Sequence, residues 1–383
     1  MANLFLTPAK IINGSSALEM AGPALAALGK KALIVTDSMM IKLGNLDKVL
    51  RVLNQHHVGY SIYAQINSEP CDTMIIDGLK QYQAEHCDFL IALGGGSPID
   101  SMKAIAMMSA DPNRPLNSYM GQPVETPLPK KVAIPTTAGT GSEATQFTII
   151  TDTENDVKML LKGGSLIPDL AIIDPQFTMT APKGVTSATG IDALCHAIEA
   201  YTSRLAQPLS DTFALSAVKR IFNNLTNAYE HGDNEEARIQ MSLAALEAGI
   251  AFNNSSVTIV HGMSRPIGAL FHIAHGLSNA VLLEVCMKYV KDGAVARFAD
   301  LARYCDMTQC EDDEQAADLF IENLSALLAR LNVPTFAQLN VDRDQFMNSL
   351  EKMAHDANVS GSPANTRKPI TEQAMIELYK QLW

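Results

Sequence analysis

Short apolar runs bounded by turn-forming residues recur through the first half of the chain: Lys31–Thr36 (KALIVT), Phe89–Leu93 (FLIAL), Lys131–Ile134 (KVAI) and Leu170–Ile173 (LAII). Runs this short and this rich in β-branched residues suit strands buried on both faces, as in a parallel sheet. Segments of helical length, Lys42–Gln55 and Thr73–His86, lie between them, so the region reads as βαβ units. Near residue 180 the texture changes. Longer helical stretches follow at Asp211–Glu230, Asn234–Phe252, Gly293–Cys305 and Asp313–Leu331. The pattern predicts an α/β domain over residues 1–180 and an all-helical domain over 181–383. A cleft between two such domains is a favoured place for a ligand.

Composition narrows the function classes. The 383 residues are 47% hydrophobic and 18% charged, and 41 acidic against 29 basic side chains give a net charge of −12. Such a balance argues against binding to nucleic acid or an anionic membrane, which needs a basic footprint. No apolar stretch approaches the length of a membrane span, and the N-terminal MANLFLTPAK lacks a secretory pattern. Six scattered cysteines without a CxxC pair read as reduced thiols in a cytoplasmic protein. The 18 methionines read as core filler.

Candidate chemistry begins at Leu93-Gly94-Gly95-Gly96-Ser97-Pro98-Ile99-Asp100. It follows a strand and opens a helix, with Ser97 expected as N-cap, Pro98 at the first helical position and Asp100 completing a capping-box-like pattern. Three glycines let backbone approach a ligand, and the free amides of a helix start favour phosphate. An ordinary strand-to-helix turn would read the same. The spacing is not the GxGxxG dinucleotide fingerprint, and the acidic partner would be Asp37, before the glycines rather than after them. At a strand's C-terminal edge, Asp37 could bind ribose hydroxyls and repel a 2′-phosphate, favouring NAD, or be a plain turn residue. A second polar loop, Pro135–Glu143 (PTTAGTGSE), offers the hydroxyls of Thr136, Thr137 and Thr140 to line a cofactor groove.

The second cluster is Asp192-Ala-Leu-Cys-His196-Ala-Ile-Glu199, where Asp192 and His196 share a helical face at i, i+4. Further on, His261, His272 and His275 lie in HGMSRPIGALFHIAHG. In one straight helix His261 and His275 would stand about 21 Å apart, so a bend is expected at Pro266 and Gly268. One carboxylate with three imidazoles suits Zn²⁺ or Fe²⁺ and is too nitrogen-rich for Ca²⁺ or Mg²⁺. On spacing alone, His272 would serve as well as His275. Phe147, Phe252 and Phe271 are candidates to line a pocket.

Taken together, GGGSPIDxxK (Gly94–Lys103), PTTAGTGSE (Pro135–Glu143), ATGIDALCHAIEAY (Ala188–Tyr201) and HGMSRPIGALFHIAHG (His261–Gly276) resemble the iron-containing, group III alcohol dehydrogenase family. The resemblance implies an N-terminal dinucleotide-binding domain and a helical metal-binding domain in a dehydroquinate synthase-like fold. It implies Asp192, His196, His261 and His275 as ligands of one divalent ion, and His272 then drops out. Gly95, Gly96 and Ser97 would bind pyrophosphate, and Thr136, Thr137 and Lys158 would also touch NAD. Hydride transfer between NAD(H) and a short-chain aldehyde or alcohol is the implied reaction, in a homodimer or larger oligomer.

One position departs from the family pattern. Many members carry a second histidine where this chain has Arg265, leaving His272 as the nearby imidazole able to relay a proton. A guanidinium suits a carboxylate, sulfonate or phosphonate, so the substrate class could be an aldehyde with an anionic tail, such as succinic semialdehyde, sulfoacetaldehyde or phosphonoacetaldehyde. Arg265 could instead pair with an acidic neighbour or a cofactor phosphate, with a neutral alcohol or diol as substrate. A hydroxyacid–oxoacid transhydrogenase, a dehydroquinate synthase-like lyase and a non-catalytic NAD- or metal-binding protein are the competing readings.

Overall fold

Strand Phe89–Gly94 is buried at all six positions because strands flank it on both sides and helices cover both faces. The computed structural model describes residues 2–155 and 157–383. In chain order the strands are β1 (Lys10–Asn13), β2 (Lys31–Val35), β3 (Gly59–Tyr63), β4 (Phe89–Gly94), β5 (Lys130–Pro135), β6 (Phe147–Asp152), β7 (Val157–Lys162) and β8 (Leu170–Ile173). Six of them form one parallel sheet in the order β1-β8-β5-β4-β2-β3. Alternation along the strands feeds two separate cores. Leu33, Val35, Leu90 and Ala92 point to one face, under helices Asp72–Ala84 and Gly96–Ala110. Ala32, Ile34, Phe89, Ile91 and Leu93 point to the other, under Ala17–Leu28 and Asn45–Gln55.

The chain passes outward from β2 to β3, then returns to the opposite side of β2 with β4. That reversal is a topological switch point, and the loops at the carboxyl ends of β2 and β4 are where such sheets bind ligands. Two sheet strands, β1 and β3, were not among the predicted runs. They are the sheet edges, half exposed, and so lack a continuous apolar signature. The antiparallel hairpin β6–β7 was also unread, since one face of each strand is in solvent and its apolar positions only alternate. The helix expected over 42–55 is two, Ser38–Lys42 and Asn45–Gln55, parted at Gly44 with φ 70°.

This sheet and its helices make one compact unit, Leu6–Ala181; the other comprises Pro182–Trp383 with a short N-terminal stretch ending at Phe5. The second unit is helical throughout its named elements, and its central element is Lys183–Thr202. That helix packs against Pro208–Glu230, Glu235–Ser255 and His275–Val290, so it is buried nearly all round from Thr186 to Thr202. A helix enclosed on every side needs no apolar stripe, and small residues let its neighbours approach: a Cβ on Gly190 would lie 2.3 Å from Leu225. Among the described residues no single helix is long and apolar enough to cross a membrane.

Candidate functional site

In the sheet unit, Gly94 closes β4 with φ 155°, and a Cβ there would meet the Pro98 ring at 2.5 Å. Only glycine makes this turn so tightly. The helix begins two residues earlier than the sequence pattern suggests. Gly95 is the N-cap, with no side-chain cap bond, so Ser97 lies in the first turn. The amides of Gly96 and Ser97 therefore have no carbonyl one turn back to bond, which leaves them available to an anion. Asp100 does not complete a capping box. It is half-buried, accepting from Ser142 Oγ at 2.5 Å and from the Ile149 amide at 3.0 Å.

The polar loop after β5 lies directly on this turn. The Thr136 amide donates to Gly94 O at 3.0 Å, and Cβ atoms on Gly95 and Gly96 would sit 3.5 Å from Thr137 Oγ1 and 3.1 Å from Thr140 Cγ2. Lys103, fully buried on the same helix, holds the two segments together. Its Nζ donates to Ser142 Oγ (3.1 Å), to Thr145 O and Oγ1 (3.0 Å each) and to Phe147 O (2.8 Å). Burial pulls the Lys103 pKa down to about 8 against the fields of Asp100 and Glu143, while burial pushes Glu143 up to about 7. Sequence reasoning passed over both groups, although each lies in a quoted motif.

Asp37 follows β2 at its carboxyl end, where Oδ1 caps the Ser38–Lys42 helix by accepting from Met40 N at 2.9 Å. Lys158, on β7, pairs with Glu69 at 2.6 Å.

In the helical unit, Asp192, His196, His261 and His275 each present one donor atom, and these atoms all lie within 4.8 Å of one another. The bend that permits this is not at Pro266 or Gly268, which lie within the Ile259–Phe271 helix. It falls at His272, whose φ of 53° ends that helix before His275–Val290 begins. His272 is exposed and stands outside the four-residue cluster. Gly276 lets this second helix start against the helix that carries Asp192, since a Cβ there would lie 2.7 Å from Ala188 O.

The donor set fits a small divalent ion. Asp192 Oδ1 is 3.7 Å from His261 Nε2 and 3.6 Å from His275 Nε2, close to the separation of about 3.4 Å expected between ligands of a tetrahedral ion with bonds near 2.1 Å. Asn279 Nδ2 lies among the same lone pairs, 2.7 Å from Asp192 Oδ1, 3.1 Å from His261 Nε2 and 3.2 Å from His275 Nε2. Phe252 stacks on the His196 ring at 4.2 Å, and His196 Nδ1 is buried without a hydrogen-bond partner. Burial would raise the Asp192 pKa, but His196, His275 and His261 together hold its carboxyl well below the usual range. Burial takes His196 down to about 3 against the pull of Asp192. His261 goes the other way, because Glu199 and Asp192 outweigh its burial and raise it to about 9. The cluster is built to neutralise positive charge.

Residues 8–175 match the family described as iron-containing alcohol dehydrogenase, and residues 186–383 match the C-terminal part of the Fe-containing alcohol dehydrogenase family. The chain belongs to the iron-containing alcohol dehydrogenase family. It is 36% identical to a 1,3-propanediol dehydrogenase of Citrobacter freundii, over 98% of both chains. A crystal structure of a 1,3-propanediol oxidoreductase aligns over all of both chains with a TM-score of 0.96 at 34% identity. A sulfoacetaldehyde reductase of Bifidobacterium kashiwanohense, solved with NAD⁺, aligns over 100% of this chain and 99% of that one, with a TM-score of 0.87 at 27% identity. The family is one of oxidoreductase enzymes, and the parallel-sheet and helical architecture is its fold.

Two members of the helical site escaped sequence reasoning. Glu199 lies on the Asp192 helix two turns on, and Asn279 lies four residues after His275, so helical spacing from the quoted ligands would have found both. Glu199 Oε1 accepts from Thr258 Oγ1 at 2.7 Å and from the Val260 amide at 2.6 Å, while Oε2 meets His261 Nδ1. Arg265, half-buried on the His261 helix, has its pKa pulled down by burial and up by Glu199. Of the candidate aromatics, Phe271 packs on Phe346 and Phe147 receives Lys162 over its ring.

Proposed function

We propose that this enzyme interconverts a short-chain aldehyde and its primary alcohol, using NAD(H) and one divalent ion, Fe²⁺ or Zn²⁺. The observation that carries the reading is the convergence of one carboxylate and three imidazoles within 4.8 Å in a chain of this family. When bound, the ion would supply Lewis acidity toward a carbonyl or alcohol oxygen, and the nicotinamide would supply the hydride.

The chain's own residues do the rest. Asp192, His196, His261 and His275 hold the ion. Gly94, Gly95, Gly96 and Ser97 bring backbone amides to the pyrophosphate, with Thr136, Thr137 and Thr140 on the adjoining loop. Asp37 accepts from ribose hydroxyls and disfavours a 2′-phosphate, which selects NAD. Lys158 reaches the cofactor by leaving Glu69. Asp100 acts beneath this surface, fixing the loop rather than touching the ligand. His272, exposed where the two helices part, exchanges a proton with water.

A specific observation favours an anionic tail on the substrate. The acidic group whose field reaches Arg265 is Glu199, and both Glu199 oxygens are already engaged by Thr258, Val260 and His261. A desolvated guanidinium so placed suits a carboxylate or sulfonate, and one structural relative is a sulfoacetaldehyde reductase. The test compares kcat/KM for butyraldehyde, succinic semialdehyde and sulfoacetaldehyde. A hundredfold preference for an anionic aldehyde, about 2.7 kcal/mol, that Arg265→Ala abolishes supports this reading. Preference for butyraldehyde returns Arg265 to a structural role and leaves a neutral-alcohol dehydrogenase. Consumption of one NADH per aldehyde separates either from a lyase or a transhydrogenase, which return the cofactor unchanged.

A further inference from the structure

Glu199 is fully buried on the helix that carries Asp192 and His196, and its two oxygens face different partners. Oε1 takes two donors, the Thr258 hydroxyl and the backbone amide of Val260. The second is obligatory: Val260 is in the first turn of its helix, where an N–H has no intrahelical acceptor. Oε2 is therefore left to His261 Nδ1. On the other side of the same ring, the Asn279 amide nitrogen stands 3.1 Å from Nε2. An acceptor on Nδ1 and a donor near Nε2 favour the same arrangement, a proton on Nδ1 and a lone pair on Nε2. That lone pair faces Asp192 Oδ1 and the ring of His275.

We infer that Glu199 is a positioning residue for the metal centre, fixing His261 in the tautomer and orientation that present Nε2 to the ion. The inference rests on the metal reading of the four-residue cluster. Outer partners of this kind typically govern metal affinity by 10- to 100-fold. Here the hydrogen-bond polarity makes a sharper statement possible. In Glu199→Gln the amide oxygen must stay with Thr258 and Val260, because turning it away would set an NH₂ group against the Val260 N–H. The amide NH₂ then faces Nδ1, demands a lone pair there and moves the histidine proton to Nε2, the atom the ion needs. An isosteric change with no new cavity thus opposes metal binding.

The experiment measures Zn²⁺ affinity of the full chain by competition with a chromophoric chelator, alongside the melting temperature of the metal-free protein. Glu199→Gln is expected to weaken Zn²⁺ binding at least tenfold while melting close to wild type, and Glu199→Asp, which keeps an acceptor, to fall between. Zn²⁺ binding by Glu199→Gln within threefold of wild type overturns the inference. Wild-type protein that binds no Zn²⁺ overturns the metal reading itself, a separate outcome. Should Glu199→Gln not fold, ¹⁵N-histidine NMR of the Zn²⁺-loaded wild type decides: a proton on His261 Nδ1 is expected, and an unprotonated Nδ1 refutes the role.

Discussion

Adding one methyl group at Gly276 tests whether the metal site depends on the close approach of two helices. Gly276 occupies the first turn of His275–Val290, where helix propensity alone would favour alanine by up to about 1 kcal/mol. Against this, the new Cβ would lie 2.7 Å from Ala188 O and 3.1 Å from Ala188 C, where ordinary contact begins at 3.4 Å. Both neighbours are backbone of the Asp192 helix, so no side chain can turn aside. The helix start must retreat by about 0.7 Å, overpacking that typically costs 1–3 kcal/mol and exceeds the propensity gain. His275 moves with it, and ligand distances in a metal site tolerate only about 0.2 Å. Gly276→Ala is expected to lower Zn²⁺ affinity at least tenfold by chelator competition and to lower the melting temperature of the metal-free protein by several degrees. Gly184→Ala serves as the control. It lies in the first turn of the Asp192 helix with nothing within 4 Å of a new Cβ, and should leave both quantities near wild type. Wild-type Zn²⁺ affinity in Gly276→Ala would refute the reasoning.

Other substitutions probe the sheet unit. Glu143 is buried with its pKa raised from 4.5 to about 7, so the stability it contributes is complete below pH 4.5 and is lost as pH rises through 7. The shift is worth about 3 kcal/mol. Glu143→Gln should therefore gain stability relative to wild type between pH 5 and pH 8 in thermal unfolding, and an equal difference at both pH values would contradict this. Asp37→Asn keeps the cap on Met40 but removes the charge. It should improve kcat/KM for NADPH relative to NADH at least tenfold, about 1.4 kcal/mol, and an unchanged ratio would place Asp37 away from the ribose.

The central strands were legible in the sequence because burial on both faces forces unbroken apolar runs, as in β4. The edge strands β1 and β3 leave no such trace, being defined by pairing rather than by burial. At the metal cluster, spacing alone left His272 and His275 equivalent. Only the left-handed backbone at His272 decides between them, by ending one helix there and starting the next at His275. Pro266 misled in the same segment, since it is accommodated within a helix rather than breaking it. Ser97 looked like an N-cap by residue type, yet the tight turn at Gly94 starts the helix earlier. Lys103, Glu199 and Asn279 carry no local pattern of their own, because they bond to partners as far as 87 residues away. Helical spacing from an already recognised ligand flags Glu199 and Asn279, while nothing of that kind flags Lys103.

The most direct test of the account is turnover before and after metal removal. The protein is stripped with a chelator, assayed for aldehyde-dependent NADH oxidation, and titrated with Fe²⁺ or Zn²⁺, with Asp192→Ala carried in parallel. The account predicts an inactive stripped protein, recovery complete at one equivalent of ion per chain, and no recovery in Asp192→Ala. Full NADH oxidation by the stripped wild type, or recovery of Asp192→Ala to the wild-type level, would contradict it.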